Sequence, residues 1–73
     1  MADDVFKGIT IAGTSNEGFS KAIEVAIERA KQTIQELRWF EVRDQRGAIR
    51  DGRIEYQVTL EVFFKLQPGD ASQ

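Results

Sequence analysis

Tyr56-Gln57-Val58-Thr59-Leu60-Glu61-Val62-Phe63-Phe64-Lys65-Leu66 is the run that decides the fold. Tyr56, Val58, Leu60, Val62, Phe64 and Leu66 share one parity. Glu55, Gln57, Thr59, Glu61, Phe63 and Lys65 share the other, the period of two that marks a strand with one buried face. The even residues face a core and the odd ones face away. Phe63 is the exception on the polar side, and an aromatic ring there implies that the outer face is covered in turn, most simply by a second copy of the chain. Pro68-Gly69 ends the strand. One domain over 1–73 is expected, ordered from about 5 to 66, with 67–73 a flexible tail.

Immediately upstream, Asp51-Gly52 marks a two-residue hairpin, because a type I′ turn needs positive φ at both central positions. Counting back from it sets Arg50 opposite Arg53, Ile49 opposite Ile54 and Arg46 opposite Gln57. Carried on without interruption, that register points Phe40 and Val42 outward. A β-bulge between Val42 and Arg46 returns both to the core face and leaves Trp39, the single tryptophan, on the outer face with Arg46, Gln57 and Phe63.

Before this hairpin, Phe19, Ile23, Ala26, Ile27, Ala30, Ile34 and Leu37 recur at spacings of three and four, which predicts a helix with one apolar face. The change of periodicity at Trp39-Phe40-Glu41-Val42 puts its end near Leu37. Thr14 and Ser15 offer an N-cap, with Thr14 and Glu17 at capping-box spacing. Lys21, Glu24, Glu28 and Lys31 form the opposite, solvated side, where Lys21–Glu24 and Glu28–Lys31 are surface neighbours. Val5 to Ala12, with Val5, Ile9 and Ile11 apolar, reads as a first strand ended by Gly13. The sum is an α+β protomer of order β-α-β-β, a three-stranded antiparallel-type sheet packed on one long helix. A right-handed crossover makes strands one and two parallel, with strand three between them.

A chain of 73 residues buries only about 60% of its unfolded surface and ordinarily needs a staple. With no cysteine and no histidine, disulfides and structural zinc are excluded, and self-association remains. The same absence excludes Ser-His-Asp, Cys-His and metal-histidine catalysis. No dinucleotide fingerprint or phosphate-binding loop is present, so binding is expected rather than catalysis. A net charge of −2 argues against a nucleic-acid or anionic-membrane surface. No apolar run approaches membrane-spanning length, and the acidic start has no secretion-signal pattern, so a soluble cytoplasmic protein is expected.

An outward tryptophan on the same face as an arginine and a glutamine suits a planar, conjugated, hydrogen-bonding ligand such as a flavin. The alternatives are an indole that anchors a subunit interface, and a single-strand nucleic-acid surface using Trp39, Phe63 and the arginines of the second strand, which the net charge disfavours. Trp39 and Arg46 lie about 20 Å apart on one extended strand, too far for a single flavin ring system. If they share a ligand, they come from different subunits.

Gly13-Thr14-Ser15 before the helix, Trp39-Phe40-Glu41-Val42 after it, Arg46-Gly47, and Glu55-Tyr56-Gln57-Val58 together resemble the dodecin family of small flavin-binding proteins, over about Val5 to Leu66. The resemblance implies a hollow homododecamer of tetrahedral symmetry with flavins paired at two-fold axes, each isoalloxazine between a tryptophan and its neighbour flavin. It makes Trp39 the stacking platform, Gln57 the hydrogen-bonding partner of the ring edge and Arg46 a pocket residue near the flavin or its phosphate. Lys65 stands where similar bacterial chains commonly carry arginine, which weakens bidentate phosphate recognition. The implied role is flavin storage, buffering and photoprotective quenching without turnover. Flavin mononucleotide is the favoured ligand, riboflavin the alternative, and coenzyme A a second ligand that some bacterial members take.

Overall fold

A computed structural model describes residues 3–68. Four elements follow in order: β1 (Phe6–Ser15), α1 (Phe19–Lys31), β2 (Leu37–Arg50) and β3 (Arg53–Lys65). The sheet runs β1-β3-β2, and β3 is antiparallel to both neighbours. β1 and β2 are therefore parallel, as the crossover argument requires. β3 takes the central place because its apolar alternation is the longest in the chain, and Val58, Leu60 and Val62 are fully buried beneath α1.

The helix meets them with a narrow stripe of small residues, Ala22, Ala26 and Ala30, flanked by Phe19, Ile23 and Ile27. Small side chains bring the helix backbone close to the sheet, and Gly13 completes the approach. A Cβ on Gly13 would stand 2.8 Å from Cβ of Ala26 and strike the carbonyl of Ala22. Gly13 thus does not end the first strand, as expected from its type; it lies buried inside β1, which continues to Ser15. The capping expectation is corrected with it. Thr14 and Ser15 are strand residues, and α1 opens after Gly18 without a side-chain cap. Ser15 instead accepts a hydrogen bond on Oγ from the Glu17 amide at 2.9 Å.

The helix stops at Lys31, short of the expected Leu37. The amides of Thr33 and Ile34 both donate to the Ala30 carbonyl, at 3.2 and 2.9 Å. Glu36 then takes φ 63° and swings the chain into β2. Periodicity could not reveal this end, because Leu37 packs on the core from the far side of the turn and so prolongs the helical spacing. On the exposed face, Glu28 and Lys31 pair at 3.3 Å.

The hairpin follows the expected register at Arg50–Arg53, Ile49–Ile54 and Arg46–Gln57. Asp51 at φ 50° and Gly52 at φ 74° supply the two positive dihedrals of the turn. β1 ends opposite Tyr56, so the hairpin tip projects as a two-stranded arm carrying Ile54 and an Ile49 that is 81% exposed. α1 lies over β1 and β3. Phe40 and Val42 stand on the helix side of β2, as the bulge argument required, yet remain 42% and 44% exposed. Of the tail expected over 67–73, Gln67 and Pro68 are described and 69–73 lie outside the described residues.

Candidate functional site

Two irregularities in β2 build the outer face. One falls between Val42 and Asp44, where Arg43 is the extra residue, inside the interval predicted from the hairpin register; the other falls between Leu37 and Trp39, where Arg38 is extra. Leu37 and Trp39 would share a face in an uninterrupted strand. The bulge at Arg38 sends Leu37 to the core and Trp39 outward, opposite Phe63. This second bulge was not foreseen, because a helix reaching Leu37 never raised the question of its strand parity.

Both extra residues are arginines held by carboxylates. Arg38 pairs with Glu36 at 3.0 Å and lies over the ring of Phe6. Arg43 donates through Nε to Glu61 at 3.1 Å, makes a second contact to the same carboxylate through Nη2, and meets Glu41 at 2.7 Å. The hydrogen bond to Glu61 is the main cause holding the Arg43 guanidinium above its ordinary value; partial desolvation opposes it and the charge of Glu41 adds to it. Raising a cation already charged at all ordinary pH leaves its charge fixed.

Trp39 stacks on Phe63 with centroids 4.7 Å and planes 12° apart, and meets Phe6 in a T-shaped contact at 4.9 Å. It remains 44% exposed. Lys65 pairs in register with Phe6 and lies at this same end of the outer face, its Nζ 3.4 Å from Asp4.

Arg46 and Gln57 meet at the other end. Arg46 donates through Nε to Oε1 of Gln57 at 2.7 Å, and Gln57 donates through Nε2 to Glu55 at 2.9 Å. These bonds orient the Gln57 amide while leaving one lone pair on its oxygen and one N–H for a ligand edge. The sequence-derived residues thus fall into two groups, Trp39 with Lys65 and Arg46 with Gln57. The register partners Phe63 and Gln57 are six residues apart on β3, a separation of about 20 Å. The Glu41–Arg43–Glu61 cluster lies between the groups. Phe6 and Gly8, which complete the aromatic end, were not among the expected site residues; the signal was Phe63, expected to be covered by a second copy and here covered by Trp39 of its own chain, together with a glycine inside the neighbouring strand.

A groove of about 650 Å³ opens on the helix side between the end of α1 and β2, with Ile27, Ile34, Leu37, Phe40 and Val62 as its apolar lining and Lys31, Gln35, Glu36, Arg38 and the edge of Trp39 at its margin. It exists because α1 leaves β2 uncovered. It is apolar at its base and polar at its margin, and of the residues on the outer face Trp39 borders it while Arg46 and Gln57 do not.

The fold and this face define a small α+β protomer with a half-exposed, ring-backed indole at one end of its outer face and an arginine–glutamine pair at the other. Residues 5–67 match the dodecin family model. Dodecin of Thermus thermophilus is 47% identical over 64 residues, covering 86% of this chain and 93% of the relative. Calcium dodecin of Mycobacterium tuberculosis is 37% identical over 65 residues, covering 88% and 92%. The solved structure of dodecin from Streptomyces davaonensis superposes with a TM-score of 0.86 at 43% identity, covering 90% of this chain and 98% of that one. The chain belongs to the dodecin family. Among the described residues no three of His, Cys, Asp or Glu cluster to hold a metal, and no helix is long and apolar enough to cross a membrane.

Proposed function

We propose that this protein binds flavin without turnover, as a storage and quenching protein, in pockets formed between the subunits of a cytoplasmic homododecamer. The observation that carries the reading is the outward, half-exposed indole of Trp39, held about 20 Å along the sheet from the glutamine and arginine that suit the polar edge of the same ligand. A ligand using both groups draws them from different protomers. Trp39 stacks on the isoalloxazine, Gln57 pairs with its amide-like edge, and Arg46 binds a carbonyl or phosphate oxygen. Lys65 supplies a point charge for a phosphate where an arginine would grip two oxygens. Flavin mononucleotide is the favoured ligand, riboflavin the alternative, and coenzyme A a second ligand.

Assembly is supported independently. Phe40, Val42, Ile49 and Ile54 are exposed on the helix side, an apolar surface that suits burial against copies of the same chain. The same observation favours a second reading, a structural oligomer with no cofactor. The two separate on colour. Protein refolded with excess flavin mononucleotide and gel-filtered should be yellow with strongly quenched flavin fluorescence; a large but colourless assembly would support the second reading and refute the first.

A further inference from the structure

Gly8 stands inside β1 directly opposite Phe63 of β3. A Cβ there would lie 2.7 Å from Cε2 of Phe63 and 2.6 Å from Oε2 of Glu61. The Phe63 ring therefore leans over the bare backbone of Gly8, in space that any other residue would fill. Trp39 stacks on that ring, and Phe6 braces the indole in its T-shaped contact. Backbone, phenyl and indole form successive layers, with Trp39 44% exposed and Phe63 more deeply buried.

The geometry points to Phe63 as the residue that positions Trp39 for stacking: lying over Gly8 and against one face of the indole, it fixes the plane that the rest of the indole offers to a flat ligand. The inference rests on the flavin reading above and adds to it the layer behind the platform. An indole already held by one ring on its face and another in a T has little rotamer freedom to lose on binding. Immobilising a free side chain otherwise weakens affinity by up to about tenfold. Phe63 does this without touching the ligand, and Gly8 makes its pose accessible.

Two variants disturb the layer from opposite sides. Phe63→Leu keeps an apolar side chain but removes the flat ring; Gly8→Ala leaves both rings and intrudes on the space beneath them. Two quantities are read: the flavin mononucleotide dissociation constant from fluorescence quenching, and the anisotropy decay of tryptophan fluorescence in ligand-free protein. The second reports Trp39 alone, the single tryptophan. Each variant should assemble as the unaltered protein does, bind about three- to tenfold more weakly and show a faster indole motion. Phe63→Tyr should restore both quantities to within about twofold. The double variant should bind no more weakly than Phe63→Leu alone, since both changes act through one layer. Unchanged affinity and indole motion in Phe63→Leu would overturn the inference and leave flavin binding standing. Tighter binding would overturn it as well, by making the ring a competitor of the ligand. Failure of the unaltered protein to bind overturns this inference and the flavin reading together. If Phe63→Leu does not assemble, Gly8→Ala and Phe63→Tyr make the same comparison.

Discussion

The two faces of the sheet solve opposite problems with the same strands. On the helix side, alanines and a glycine let α1 press on Val58, Leu60 and Val62, and the result is a thin core that fixes the fold. On the outer side a glycine again makes room, but at Gly8 the space goes to an aromatic ring that carries a half-exposed tryptophan. Close packing on one face specifies the protomer. Close packing on the other holds an indole half exposed, which under the proposed function is the surface offered to a flavin. Stability and ligand binding should therefore respond to different residues of the same strand.

The largest loss of stability is expected for Leu60→Ala. Leu60 is fully buried at the centre of the core, so its truncation should cost about 2–5 kcal/mol. The urea midpoint of the assembled protein, taken at fixed protein concentration, reads that loss. Thr59→Ala, the next residue but on the outer face, should lower the stability read from that midpoint by no more than about 0.5 kcal/mol; equal losses would mean that the faces are not separate in function. A smaller loss is expected for Gly13→Ala, where the added methyl meets Ala26 and the Ala22 carbonyl. Overpacking of that kind costs about 1–3 kcal/mol, and a midpoint no lower than that of the unaltered protein would show that α1 can lift off β1 freely.

The helix face was legible from the letters and the outer face only in part, for physical reasons. A two-residue turn sets the register by counting, so the pairs near Asp51-Gly52 and the need for a bulge beyond Val42 followed from alternation alone. The bulge at Arg38 left no mark in composition, because nothing about an arginine announces an unpaired strand residue. Gly13 read as the end of a strand and Gly8 carried no packing signal, since the reason for each is a neighbour distant in sequence. The helix end was hidden by Leu37, which returns to the core in phase after a turn made by a non-glycine residue. Of the site, Trp39, Arg46, Gln57 and Lys65 were all placed on the outer face, and the distance that divides them was foreseen for Trp39 and Arg46.

That turn gives the smallest effect. Glu36 occupies the left-handed region at φ 63°, which disfavours any residue with a Cβ. Glu36→Gly relieves it and gives up the exposed pair with Arg38, for a net gain of up to about 1 kcal/mol. A raised thermal midpoint with unchanged flavin binding would sharpen the distinction between the faces; a lowered midpoint would show that the Arg38 pair outweighs the backbone.

The most direct measurement is sedimentation velocity with flavin mononucleotide present, followed at the visible absorbance of the flavin, for the unaltered protein and for Trp39→Ala. Colour should travel with a particle many times heavier than the 8.3 kDa chain. Trp39→Ala should form the same particle and carry about tenfold less flavin or lower still at subsaturating ligand. Flavin left at the meniscus beside a fully assembled unaltered protein, or equal loading of the two proteins, would contradict the proposed function.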